Sequence, residues 1–355
     1  MKVLYAFQGT GFGHISRAKE IVPLLKEKVE TDVLISGANK DLELPFEVKY
    51  RMKGLTFFAG KTGGIDFSKT YHKNSLLRLG QEIVKVPVKQ YDLVINDFEP
   101  VTAWACKLKG TNCVELSHQA AVIDQNAPKA VNKALLGKFL LERICPIPFK
   151  YGFHFQEYND FIFTPVIRKQ VRELDLNECK NHYTVYLPAY TSSYLIEQLS
   201  SIESAFWHIF TPEVEEVTIV NNFTLCPLNN ERFLESMATS LGVVCGAGFE
   251  TPAEALYLGK KLLVVPMKGQ YEQLCNAASL ESLGVPVIDH INANTIARLS
   301  QWIASNKSIQ VNYPDNISFI LDEVLETHLR RSGKAVFTSN VKQILAKDAL
   351  AFTSD

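Results

Sequence analysis

Two short apolar runs in this chain end in the same way. Val3-Leu4-Tyr5-Ala6-Phe7 leads into GTGFGHISRA (Gly9–Ala18), and Val243-Val244-Cys245 leads into GAGFETPAEA (Gly246–Ala255). After the first turn, Ile15, Ala18, Ile21, Val22 and Leu25 recur at helical spacing, with Arg17, Lys19, Glu20 and Lys26 between them. After the second, Pro252 falls in a first helical turn, a favoured place for proline. Buried strand, glycine turn, helix is the unit of a parallel α/β sheet. Such a turn lets a ligand approach the backbone, and the helix start offers free N–H groups to anions and polar ligands. The plainer alternative for the first turn is a tight loop carrying a surface histidine at position 14.

The same alternation runs through both halves. Strands are predicted at 2–7, 32–35, 46–50, 92–96 and 113–116, with Phe161-Ile162-Phe163 as a further short one. Helices are predicted at 14–28, 76–89, 99–109 and 130–143. The polar, irregular stretch TPVIRKQVRELDLNECKNH reads as a linker. The pattern restarts with strands at 183–187, 205–210, 217–220, 242–245, 261–265 and 286–288, and helices at 191–200, 230–239, 250–258, 270–282 and 293–305. A last helix fits Phe319–Leu329, followed by a polar end. The fold class is therefore α/β, two doubly wound domains facing across a cleft. Their bounds are 1–166, a linker 167–182, 183–315, and a terminal helix and tail 316–355 that could return to the first domain. Ligands of such sheets bind outside the carboxyl ends of the strands.

A third polar cluster follows the strand Leu262–Val265. In MKGQYEQLCNA, Gln270, Glu272, Gln273 and Asn276 crowd another strand-to-helix turn. A carboxylate beside an amide can accept from and donate to sugar hydroxyls; helix capping is the plainer alternative.

In this order, these segments resemble the GT-B glycosyltransferases. GAGFETPAEALYLGKKLLVVPMKGQYEQLCNAASLESLGV is similar to their donor-binding region and GTGFGHISRA to their N-terminal glycine loop. The similarity is greatest to the group holding the lipid-linked N-acetylglucosamine transferase of peptidoglycan synthesis and the UDP-glucuronosyl-type transferases. YDLVINDFEP and VELSHQ resemble matching segments of uncharacterised bacterial and archaeal relatives.

The resemblance implies roles residue by residue. Gly246, Ala247, Gly248 and Phe249 would cradle the donor diphosphate, with Thr251 adding a hydroxyl and Glu254 binding the ribose. Gln270, Glu272 and Gln273 would face the donor sugar, and the base would rest near Pro227 and Leu228. His14 matches a catalytic base and Asp97 its supporting acid. Gly11, Phe12, Gly13 and His118 would line the cleft on the acceptor side. The histidine that often opens the donor loop in the glucuronosyl type is absent, Cys245 standing there. The implied reaction is transfer of a sugar from a nucleotide-diphosphate donor, UDP-linked, to an unidentified acceptor hydroxyl, inverting and metal-independent. No cofactor beyond that co-substrate is implied. The acceptor would be a small molecule, a glycan or a lipid-linked compound. A nucleotide-sugar 2-epimerase and a non-catalytic nucleotide-sugar binder share the fold and stand as alternatives.

Other readings fit less well. A nicotinamide site wants G-x-G-x-x-G and an acid closing the second strand, whereas Gly9, Gly11 and Gly13 alternate and that strand ends at Ile35-Ser36. The string Gly60-Lys61-Thr62 lacks the P-loop's first glycine at the right distance, and no D-x-D occurs. A net charge of −1 gives no argument for nucleic acid. Seven scattered cysteines without C-x-x-C fit neither a disulfide framework nor zinc, and suit a reducing cytosol. The N-terminal apolar run is too short for a signal peptide. KALLGKFLLERICPIPFKYGFHF mixes apolar residues with Lys133, Lys138, Arg143 and Lys150. It reads as a helix packed on its own domain, the alternative being peripheral contact with the inner face of the membrane or a lipid-linked acceptor.

Overall fold

The computed structural model describes residues 1–37, 44–55, 75–130 and 135–330. The Gly60-Lys61-Thr62 string, Lys133 and the tail beyond 330 lie outside them. The first half is a parallel sheet of seven strands in the order β3-β2-β1-β4-β5-β6-β7. Its strands are β1 (Lys2–Gln8), β2 (Glu30–Ser36), β3 (Tyr50–Met52), β4 (Leu93–Asp97), β5 (Cys113–Ser117), β6 (Phe149–Phe153) and β7 (Ile162–Phe163). β1 is buried almost throughout, as an apolar run covered on both faces must be. The second half is a six-stranded sheet, β10-β11-β9-β8-β12-β13. It comprises β8 (Tyr183–Tyr186), β9 (Trp207–Phe210), β10 (Thr218–Val220), β11 (Phe223–Cys226), β12 (Gly242–Gly246) and β13 (Lys261–Val265). All its pairings are parallel except the edge hairpin β10–β11.

Several predicted elements shift. The third strand lies at Tyr50–Met52, not 46–50, and Val287 makes only an isolated bridge to Val264. The end of KALLGKFLLERICPIPFKYGFHF is not helical: Phe149–Phe153 is a strand between β5 and β7. Its helix, Leu135–Ile144, does more than cover its own sheet. Gly137 lies against Tyr271 of the second half, where an added Cβ would come within 2.8 Å of the tyrosine Cβ. Lys150 forms an ion pair with buried Glu115, and the Arg143 guanidinium sits 4.8 Å from the Phe139 ring centroid. No described helix is long and apolar enough to cross a membrane.

The terminal helix Ile317–Arg330 packs back on the first half. Lys28 pairs with Asp322 at 2.8 Å, and Asn112 Nδ2 donates to the His328 carbonyl at 3.0 Å. Ile320, Leu321, Val324 and Leu325 join the same core as Val3, Ile21 and Val33. The chain thus passes between the halves twice, once through the linker and once before this helix.

Candidate functional site

The carboxyl ends of β1, β4 and β5 face those of β8 and β12 across a cleft of about 510 Å³. A second cavity of about 870 Å³ adjoins it over β8, β12 and β13, and Tyr186, Pro188, Gly248, Thr251 and Gln273 line both. It lies where the chain leaves β8 toward β9 on one side and β12 toward β13 on the other, the switch point at which open α/β sheets bind ligands.

Local chemistry explains how Asp97 is presented. The motif Asn96-Asp97-Phe98-Glu99-Pro100 divides its work. Asn96 Nδ2 donates to the Glu99 carbonyl at 2.7 Å, and the Glu99 N–H donates to Asn96 Oδ1 at 2.9 Å. The Glu99 carboxylate caps the helix Pro100–Lys109, accepting from the N–H groups of Val101 and Thr102 at 2.8 and 2.7 Å. Phe98 takes φ 54°, a conformation costly for a bulky residue. That tight turn leaves Asp97 at the strand tip, fully buried and directed at His14.

His14 Nδ1 donates to Asp97 Oδ1 at 2.9 Å. Arg17, one turn further along the same helix, grips both Asp97 oxygens, each at 3.0 Å. Burial alone would push the Asp97 carboxyl up, but Arg17 and His14 against it hold it below its ordinary value. It is therefore an anion that can orient an imidazole and stabilise its charged form.

Gly11 takes φ 100°, open to glycine and strained for other residues, and turns the chain into the helix Phe12–Lys28. Gly13 has a second reason. A Cβ there would sit 3.2 Å from Glu250 Oε1 of the other half, so the missing side chain lets the halves approach. Phe12 is 74% exposed at the cleft mouth.

Among the described residues five helix starts border the cleft: those at Phe12, Glu250 and Tyr271 have no side-chain N-cap, while those at His118 and Asn230 are capped by Ser117 and Asn229. Elsewhere, the helices starting at Leu76, Pro100 and Ser192 are capped by Ser75, Glu99 and Thr191, and those starting at Lys169 and Ile296 are not capped by a side chain. The three uncapped starts leave N-terminal N–H groups for a ligand.

The remaining predicted residues divide. Gly248, Thr251, Gln270, Glu272 and Gln273 line the cleft, with Leu228 at its edge beside Phe210 and Asn229. Gly246 lines the adjoining cavity. Ala247 is fully buried below the loop, and its carbonyl accepts from Asn276 Nδ2 at 3.1 Å. Phe249 stacks on His118 with ring centroids 3.9 Å apart. His118 is 1% exposed, its Nδ1 donating to the Phe153 carbonyl at 2.8 Å and its Nε2 lying 2.9 Å from Asn276 Oδ1. It is a strut between the halves, held by its Nδ1 bond and by the Phe249 ring. Gln273 Oε1 accepts from the Met267 N–H at 2.8 Å, which steadies the loop and leaves its amino group for other partners. Glu254 meets Arg168 of the linker in a two-pronged pair at 2.5 and 2.7 Å.

Four residues outside the sequence prediction complete the site. Buried Arg17 and half-buried Arg168 supply its cations, Glu250 receives Arg17 Nη1 at 2.6 Å, and Gln119 Nε2 donates to Glu272 across the cleft at 3.1 Å. The Gln119 and Gln270 carboxamide oxygens are buried without a hydrogen-bond partner in the protein. Arg17 could have been read from its place three residues after His14 on one helix face. Arg168 carries no such signal, because its partner is 86 residues away.

Comparison with known proteins agrees with this architecture. None of the curated proteins matches the sequence. Similar solved structures include Phytolacca americana UGT2 complexed with UDP-2-fluoroglucose and pterostilbene, at 12% identity and TM-score 0.57, covering 99% of each chain. Arabidopsis thaliana UGT89C1 complexed with quercetin aligns at 13% identity and TM-score 0.55, over 92% of this chain and 94% of its own. Acinetobacter baumannii MurG aligns at 13% identity and TM-score 0.54, over 92% of this chain and 99% of its own. The fold is GT-B. A family model described as glycosyl transferase family 1 matches residues 1–303, so the chain belongs to that family and is a glycosyltransferase.

Proposed function

We propose that this enzyme moves a sugar from a UDP-linked donor to an acceptor hydroxyl with inversion, using His14 as general base and Asp97 as its support. The observation that carries the reading is the 2.9 Å His14–Asp97 contact, on a cleft whose opposite wall presents uncapped helix starts at Glu250 and Tyr271. The imidazole takes the acceptor proton as its oxygen attacks the anomeric carbon, and Asp97 stabilises the imidazolium that forms. The departing diphosphate is met by the N–H groups around Gly248 and Thr251 at a helix N-terminus. Pyrimidine nucleotides fit the comparisons: UGT2 was seen with a UDP-sugar, and VinC and SpnG with thymidine diphosphates. The base would rest by Leu228 and Phe210, and the sugar by Gln270, Glu272 and Gln273. The comparisons give no support to the epimerase alternative. The protein would work in the cytoplasm.

The test is single-turnover transfer at saturating donor, with the donor chosen by a thermal-shift screen of nucleotide sugars. His14→Ala should lose about 10²–10⁴ in rate. Near-normal transfer by that variant would remove His14 from the chemistry. Because loop N–H groups carry the diphosphate charge, transfer should also survive EDTA, and a strict need for added magnesium or manganese would contradict this.

A further inference from the structure

Arg17 has no part in the reaction as written above, yet it is the most constrained cation of the cleft. Its side chain is 2% exposed. Nε and Nη2 hold the two oxygens of Asp97, Nη1 reaches Glu250 of the other half, and the guanidinium carbon lies 5.9 Å from the Phe153 ring centroid. Burying a cation is costly unless it is paired. Here carboxylates from opposite halves meet that cost together.

Two further features point to the same trio. Arg17 Nη2 lies 3.2 Å from His14 Nδ1, and a guanidinium has no acceptor. The Nδ1 proton therefore has one destination, Asp97, and Nε2 is left as the lone pair. Second, Glu250 is the first residue of the helix whose start would meet the donor diphosphate. A carboxylate has the wrong sign for that task. Drawn onto Arg17 and seated over Gly13, it has another partner.

We propose that Arg17 is a positioning residue of the transfer step: it locks Asp97 against His14 and ties that pair to Glu250, so that charge at the start of the donor helix is felt at the imidazole. The inference rests on His14 as the base. With Glu250 ionised, Asp97, Arg17 and Glu250 together carry one negative charge, and the proton accepted by His14 neutralises the cluster. With Glu250 neutral, the same proton leaves a net positive charge. Burial pushes the Glu250 carboxyl up to about 7, Glu254 and Asp97 adding to the effect and Arg17 opposing it. The other titratable groups around the cluster are Glu254 and Arg168, paired with each other; Glu115 and Lys150, paired near β4; Glu272 against Gln119; His118, lowered chiefly by burial and also by Arg17; and the Tyr5 phenol near Asp97, which burial keeps neutral.

The experiment follows the His14 imidazole signal by NMR in the full chain, assigned among eight histidines by its loss in His14→Ala. Wild type should show an inflection near pH 7 from Glu250 beside the main titration. In Glu250→Gln that inflection should vanish and the main titration should move to lower pH, because a nearby negative charge is lost. Arg17→Lys keeps the charge but not the fork. It should leave the midpoint within about 0.2 units of wild type and lower single-turnover transfer by about tenfold or more. A Glu250→Gln titration that superimposes on wild type, or Arg17→Lys transfer at the wild-type rate, would overturn the proposal. Should His14→Ala transfer normally while the NMR coupling is seen, the base assignment fails and the electrostatic link stands.

Discussion

His14 and Asp97 are separated by 83 residues and meet at 2.9 Å because parallel neighbours β1 and β4 end at the same level. The glycine loop and the strand-ending acid were both legible in the sequence, and so was the polar cluster after β13. Their side-chain partners were not, because a partner is chosen by packing between halves. Glu254 shows the difference: its position suggests a ribose contact, yet Arg168 holds both its oxygens. Glu254→Gln should therefore cost about 2–4 kcal/mol of stability, near the low end for breaking a buried pair, measured by urea unfolding. If Glu254 also turns to the ribose, the same variant should bind UDP about tenfold to a hundredfold more weakly. Arg168→Gln should share the stability loss and spare UDP affinity. Calorimetry that finds equal UDP binding in wild type and Glu254→Gln would leave Glu254 a strut alone. Asp97→Asn, which keeps the shape but loses the charge that steadies the imidazolium, should lower turnover less than His14→Ala if Asp97 only orients the ring.

Among elements, the long periodic ones were legible. The helix read at 230–239 spans Asn230–Thr239, and β13 spans Lys261–Val265 as read. β6 was missed because Lys150 and Gly152 interrupt its apolar pattern; it is a strand because β5 and β7 pair with it on both sides. The short helix His118–Ile123 was missed because six residues give too little periodicity to recognise. The linker was read as irregular, whereas the short helix Lys169–Arg172 runs through it, with Arg168 bound to Glu254 and Arg172 to the Tyr313 carbonyl. Local geometry can be tested at Gly11, where an added Cβ meets nothing within 4 Å. Any cost of Gly11→Ala is then backbone strain, about 1–2 kcal/mol for φ 100°. Thermal unfolding should show that loss without a change in the cooperativity of the transition. An undiminished melting temperature would mean that the loop relaxes elsewhere. At the other helix, Glu99→Ala removes a buried cap that accepts two N–H groups and the Thr102 hydroxyl, and should cost about 2 kcal/mol.

For the whole molecule, α/β class and two-sheet organisation followed from alternation alone. The contacts that press one sheet on the other did not. One consequence is a pH-dependent stability. The Glu250 carboxyl is raised from 4.5 to about 7, so the folded state holds more protons than the unfolded state between those values. Stability contributed by this group is present at acid pH and lost as pH rises through 7. The size is about 3 kcal/mol at most. Glu250→Gln, which cannot ionise, should therefore be more stable than wild type at pH 8 and equal to it near pH 4.5. Urea midpoints measured at both pH values check this; a variant less stable than wild type at pH 8 would show that the Arg17 pair outweighs burial.

The return of the helix Ile317–Arg330 to the first half bears on how this enzyme could be recombined. An exchange of the second half cut once in the linker would carry the foreign terminal helix along and strip the first half of Ile320, Leu321 and Val324, which its core needs. Two junctions are required, one within 167–182 and one near Pro314, so that residues 183–315 travel as an insert. Inheritance of a new second half is then a matter of grafting an internal segment, and homologous crossover at one point would yield chains that cannot close their own core.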